Sequence, residues 1–199
     1  MTGLRDTLLK ICGITRGTDG ISAFEAGADL IGVVRVPGSP RYASDETVHS
    51  LHAEKIPLAG VYTSLEDIGD EAEYLDYIQL HFRHNAGMIR SVKERYSVRI
   101  ISVTLSTDPE IMKKLSEYKS GGADILLVEF ARGFRGEVEK AKTLRKNLRF
   151  GVAGSIQERD LAMIRNLDIS MIDVSRSLEV SPGIKDPEKM KSFIKEALT

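Results

Sequence analysis

Apolar residues in this 199-residue chain gather in short continuous runs. They are LLKIC (8–12), DLIGVV (29–34), PLAGVY (57–62), YIQLH (77–81), VRIISVT (98–104), ADILLVE (123–129), LRFGVAG (148–154) and MIDVS (171–175). A strand covered on both faces has no side that meets water, so it reads as an unbroken apolar run and not as an alternation. The pattern therefore predicts eight buried parallel strands.

Between the runs the spacing becomes helical. Ile111, Leu115 and Tyr118 recur at i, i+4 and i+7 behind Asp108-Pro109, which predicts an N-cap followed by proline at the first helical position. Asp186-Pro187 opens the last helix in the same way, with Met190, Phe193, Ile194 and Ala197 on one stripe. Ser155 and Glu158 have the spacing of a capping box, Ser44 and Ser64 are further N-cap candidates, and Gly121-Gly122 marks a helix stop.

Strand and helix alternating eight times predict an α/β fold, a compact (β/α)8 TIM barrel filling residues 1–199 as one domain, at roughly 25 residues per unit. Alternation alone also fits an open doubly wound sheet. An internal echo favours the barrel. AGADLIGVV (26–34) resembles GGADILLVE (121–129), and both set a glycine-containing helix end before a strand, as duplicated units would.

Composition narrows the function classes. A hydrophobic content of 42% with 29% charged residues describes an ordinary globular protein, and a net charge of −1 gives no nucleic-acid surface. No apolar run approaches the length of about 18 residues that a membrane span needs, and the opening MTGLRDT lacks the apolar core of a secretion signal. One cysteine excludes an internal disulfide and suits a cytoplasmic protein. His49, His52, His81 and His84 have no metal-ligand spacing, so no metal site is expected. The expected partner is a small molecule, with the chain a monomer or homodimer.

The sole cysteine, Cys12, ends the first run. In a barrel the C-terminal strand ends carry the catalytic groups, whereas a lone cysteine taken by itself is a small buried hydrophobe. The stretches KICGIT (10–15), GADLIGVV followed by SPRYAS (39–44), IQLH (78–81) and DVSRSLEVSPGIKD (173–186) together resemble the phosphoribosylanthranilate isomerase family, in the family's order. The resemblance implies a (β/α)8 barrel of tryptophan biosynthesis. It also implies an Amadori rearrangement that turns N-(5-phosphoribosyl)anthranilate into the carboxyphenylamino-deoxyribulose phosphate, with no cofactor.

By that resemblance Cys12 holds the general-base position. The family's general acid is an aspartate ending the sixth strand. Aligned on Ala123-Asp124 the chain offers Glu129 there, and aligned on Leu126-Leu127 it offers Val128, which has no proton to transfer; the chemistry favours Glu129. Arg41 would face the anthranilate carboxylate, a good match for a planar guanidinium. Asp173 would orient the substrate's amine or a ribose hydroxyl. His81 matches a family position beside the substrate without a proton-transfer role, and packing is its default reading. The phosphate would lie between Gly154 and Ser155, ahead of a helix N-terminus, and Ser175, Arg176 and Ser177. The chain departs from the family in its short basic loop ARGFRGE (131–137), in Ser155 and Arg176-Ser177 near the phosphate, and in Phe82 after His81.

The reaction asks a general acid to protonate the ring oxygen and a general base to remove the proton at C2, with the resulting imine as electron sink. Cys12 must then act as thiolate, against an ordinary thiol pKa of about 8.5, so a lowering by strand-end N–H groups is expected. Glu129 must begin protonated, so a raised carboxyl is expected, the alternative being a surface carboxylate paired with Arg132 or Arg135. The same residues also fit a barrel that binds a phosphosugar without turnover, or one of different specificity.

Overall fold

The computed structural model describes residues 6–199. All eight apolar runs form strands: β1 (Leu8–Cys12), β2 (Leu30–Val34), β3 (Leu58–Tyr62), β4 (Tyr77–Leu80), β5 (Arg99–Leu105), β6 (Ile125–Glu129), β7 (Gly151–Ala153) and β8 (Met171–Val174). They pair in parallel and in sequence order, and β8 returns to β1, so the sheet is a closed barrel and not an open one. Helices α1 (Gly17–Glu25), α2 (Asp45–Ala53), α3 (Ala86–Tyr96), α4 (Ile111–Ser120), α5 (Val138–Arg145), α6 (Leu161–Ile164) and α7 (Pro187–Leu198) surround it.

Side chains alternate across a strand, so each run feeds two cores. Leu30, Ala59, Tyr77, Ile101, Leu127 and Met171 point inward and fill the barrel. Their neighbours point outward and meet the helix stripes, including Ile111, Leu115 and Tyr118 of α4 and Met190, Phe193, Ile194 and Ala197 of α7. Inside the barrel three buried positions, Lys10, Gln79 and Asp173, interrupt the apolar pattern, and Ser102 and Thr104 of β5 do so on the outer face. The first three lie on the inward-facing side of β1, β4 and β8, in step with Leu8, Tyr77 and Met171.

Local signals located most boundaries and missed some. Asp186 caps α7 by accepting the N–H groups of Glu188 and Lys189, Ser44 caps α2 through Thr47 N–H, and α4 stops at Gly121 with Gly122 at φ +92°. The helix behind Asp108-Pro109 starts only at Ile111, because the Asp108 carboxylate accepts Glu110 N–H (2.9 Å) and closes a turn ahead of it. Ser155 caps nothing: at φ +51° it is left-handed, and the capping box is formed by Gln157 and Asp160 instead. Ser64 accepts Asp67 N–H within a turn, and β3 joins β4 through a single 3-10 turn (Asp70–Tyr74) where a helix was expected.

A hairpin, β9 (Glu179–Ser181) and β10 (Ile184–Lys185), follows β8 and folds over the barrel mouth. Its turn approaches the loops after β1 and β2 so closely that a Cβ on Gly183 (φ +82°) would fall 2.8 Å from Pro40 O. Glu179 fastens it. This carboxylate accepts Arg41 Nε at 2.9 Å, Arg41 Nη2 at 2.6 Å and Lys185 Nζ at 3.0 Å. Burial would raise Glu179, but its bonds to Arg41 and Lys185 prevail and hold the carboxyl at about 2, below its ordinary 4.5.

Two outcomes follow for stability. Phe193 is 1% exposed, so Phe193→Ala should cost about 3–5 kcal/mol in urea unfolding, while Val180→Ala on the hairpin, at 62% exposed, should stay within about 0.5 kcal/mol. Glu179 is depressed in the folded state, so its stabilisation is present above the ordinary 4.5 and is lost as pH falls towards about 2. Thermal unfolding of the unmodified protein should drop through that window. Glu179→Gln should be less stable at pH 7 and should show a flatter acid fall; parallel curves would remove Glu179 from the acid response.

Candidate active site

The C-terminal strand ends enclose a cavity of about 170 Å³, open at its mouth. Every residue singled out from the sequence borders it. Cys12, Glu129 and Asp173 come from β1, β6 and β8, and His81 and Arg41 from the loops after β4 and β2. Gly154, Ser155, Ser175, Arg176 and Ser177 close the side between the seventh and eighth loops.

Cys12 is half-buried and stands opposite Gly32 in the β1–β2 register. Gly32 must lack a side chain, because a Cβ there would lie 2.8 Å from Cys12 Sγ and 2.9 Å from Lys10 Nζ. Burial pushes the Cys12 thiol up; Lys10 pulls it down, Asp173 pushes it up again, and the outcome is a thiol above its ordinary value. The expected lowering is therefore corrected: in the unliganded site the desolvation of the sulfur outweighs the nearby cations.

Glu129 is the last residue of β6 and faces the cavity, whereas Val128 points outward into the helix-packed core. The pleat thus separates the two alignments. Glu129 Oε2 lies 3.0 Å from His81 Nε2, and it pairs with neither Arg132 nor Arg135. The His81 hydrogen bond outweighs burial, with Arg176 adding to it, and the Glu129 carboxyl sits below its ordinary value where a raised one was expected. His81 is likewise no packing residue; its side chain is 38% exposed and its ring is directed at the carboxylate.

Asp173 accepts Lys10 Nζ through Oδ2 at 2.9 Å, while its Oδ1 and the Oε1 of Gln79 are buried without a protein partner. Both residues line the cavity, although these two oxygens are themselves buried. Arg41 is held in place by Glu179, which fixes the plane of its guanidinium at the rim.

On the phosphate side the expected helix N-terminus is replaced. Residues Glu158–Asp160 form a 3-10 turn, and α6 behind it is four residues long. Arg176 supplies the positive charge instead, its Nη2 donating to Ser155 Oγ at 3.2 Å and bridging the two loops. Ser177 Oγ donates to Ile156 O at 2.6 Å, so its hydroxyl secures the loop. Gly154 (φ +96°) packs on backbone: a Cβ there would lie 2.6 Å from Phe130 O. Among the described residues no three His, Cys, Asp or Glu side chains are grouped to hold a metal ion, and no helix is long and apolar enough to cross a membrane.

Four residues of the site escaped the sequence reading: Lys10, Gln79, Glu179 and Lys185. A signal existed for Lys10, since a lysine inside an apolar run must find a buried partner. Glu179 and Lys185 lie in the DVSRSLEVSPGIKD stretch, but nothing in the spacing shows that they converge on Arg41.

Residues 9–196 match the family model of N-(5'phosphoribosyl)anthranilate (PRA) isomerase. An N-(5'-phosphoribosyl)anthranilate isomerase of Thermoplasma volcanium is 40% identical over 188 residues, covering 94% of each chain. Monomers generated from the dimeric phosphoribosylanthranilate isomerase of Thermotoga maritima superpose with a TM-score of 0.83 at 28% identity, covering 96% of this chain and 98% of theirs. A phosphoribosyl anthranilate isomerase in complex with reduced 1-(o-carboxyphenylamino)-1-deoxyribulose 5-phosphate superposes with a TM-score of 0.80 at 27% identity, with the same coverage. With its closed barrel and the rim residues described above, the chain belongs to the N-(5'-phosphoribosyl)anthranilate isomerase family.

Proposed function

We infer that the chain rearranges N-(5'-phosphoribosyl)anthranilate in this cavity, with Cys12 as general base and Glu129 as general acid. The observation that carries the reading is the division of one cavity: a thiol on β1 and a carboxyl on β6, with Arg41 and Arg176 at its margins for the substrate's two anionic ends. The anthranilate carboxylate meets Arg41, and the phosphate meets Arg176 with the loop backbone at Gly154, Ser155 and Ser175–Ser177. The Asp173 carboxylate accepts the anthranilate N–H or a ribose hydroxyl.

Glu129 gives its proton to the ring oxygen, the C1–O bond breaks, and the nitrogen lone pair completes a protonated imine. Cys12 takes the proton from C2, and those electrons move to the imine to give an enolamine. Loss of the C2 hydroxyl proton and protonation at C1 complete the ketose, so the substrate supplies its own electron sink. The free site rests with its protons the other way round, thiol protonated and carboxyl ionised. A phosphate on Arg176 offsets one cation that depresses Glu129 and so moves the carboxyl towards its acid form, the hydrogen bond from His81 remaining the larger influence.

Turnover followed by loss of substrate fluorescence tests the reading. Cys12→Ser should fold normally and lose about 10²–10⁴-fold in kcat, the usual contribution of one general base. Glu129→Gln should lose a comparable amount while binding the reduced product analogue unchanged, since the acid acts chiefly in the transition state. Glu129→Asp should keep part of the activity. Full turnover by a folded Cys12→Ser protein would return the cysteine to packing, and ligand binding without any ketose product from the unmodified protein would make the barrel a binder.

A further inference from the structure

Lys10 is fully buried within the barrel, one pleat below Cys12 on the same face of β1. A lysine is almost never buried without a functional or structural partner, because an ammonium loses its hydration there. Its Nζ donates to Asp173 Oδ2 at 2.9 Å across the β1–β8 seam. That takes one of its three hydrogens. The ammonium also reaches the vacant side-chain space of Gly32, where an added Cβ would meet Lys10 Nζ at 2.9 Å and Cys12 Sγ at 2.8 Å. Nitrogen and sulfur therefore converge on one small volume, and Gly32 is the residue that lets them.

The geometry points to Lys10 as a positioning residue for the isomerisation: its buried ammonium stabilises the Cys12 thiolate and at the same time holds the Asp173 carboxylate through Oδ2. This deepens the isomerase reading and rests on it for its purpose. The other charges near the sulfur are already engaged. Lys185 on β10 and Arg41 on the loop after β2 are both bound by Glu179 of β9. Asp173 on β8 carries the charge that opposes a thiolate. Lys10 is likewise paired, with Asp173, but it keeps further hydrogens for the sulfur and stands ahead of Lys185 among the cations that lower the thiol. Two signed effects follow. Removing the ammonium must raise the thiol, and removing the carboxylate charge must lower it.

Because Cys12 is the only cysteine in the chain, iodoacetamide labelling read by mass spectrometry reports this one sulfur, with no substrate present. The labelling rate follows the thiolate fraction, so its pH midpoint is the thiol's apparent pKa. Lys10→Met should shift the midpoint upward by a unit or more, making labelling at neutral pH about tenfold slower or worse. Asp173→Asn should shift it downward. A purely structural lysine would give the opposite kinetics, because a loosened rim exposes the sulfur and speeds labelling without moving the midpoint. An unmoved midpoint in folded Lys10→Met protein overturns the inference. If that variant does not fold, Asp173→Asn decides: a downward shift supports the pair's control of the sulfur, and no shift overturns it. The isomerase reading fails separately, through absence of turnover in the unmodified protein.

Discussion

The barrel closes on a buried ion pair. The register that returns β8 to β1 sets Lys10 opposite Asp173, and the same two residues join through Nζ and Oδ2 at 2.9 Å. A buried pair is a poor source of stability, since the dehydration of both charges cancels much of their attraction; an apolar pair of similar volume would often serve the fold as well or better. Breaking it from one side is another matter, because a lone buried charge remains. The seam is therefore committed to both residues together. What the barrel gains is a polar floor to its cavity: a carboxylate held by lysine and a cation beneath the sulfur.

The second charged cluster does for the rim what the first does for the floor. Glu179 joins the β9–β10 hairpin to Arg41 on the loop after β2, and Lys185 closes the group from β10. In both clusters the cations have a carboxylate partner, one for Lys10 and one shared by Arg41 and Lys185, so the rim cluster keeps one positive charge in excess. Arg176 is the exception, exposed and bonded only to a serine hydroxyl. Its charge acts on Glu129, behind the larger effect of the His81 hydrogen bond.

How much of this was legible depended on whether the cause was local. The strands were, because continuous apolar runs reflect burial on both faces, and each of the eight runs became a strand. Ser44 and Asp186 were legible because a cap needs only its own next turn. Ser155 was not: the capping box passed to Gln157 and Asp160 once the chain took a left-handed step at Gly154-Ser155. The protonation states were the least legible. Glu129 is lowered by His81, 48 positions away, and the thiol of Cys12 is raised by a burial that only the closed barrel creates. Residue identity fixed the chemical options; contacts between distant strands chose among them.

Gly154 shows how tightly those contacts bind one part of the site to another. The resemblance placed it at the expected phosphate site, ahead of a helix N-terminus. In the barrel it also lies against the chain leaving β6, where Phe130 N–H donates to Ala153 O at 2.9 Å and a Cβ on Gly154 would meet Phe130 N at 2.8 Å. Phe130 directly follows Glu129, so the glycine of the seventh loop also limits where the Glu129 backbone can sit. A side chain at this position would press on the chain beside Glu129. The seventh loop and the end of β6 therefore share one backbone contact, and the left-handed conformation at φ +96° keeps that contact for glycine.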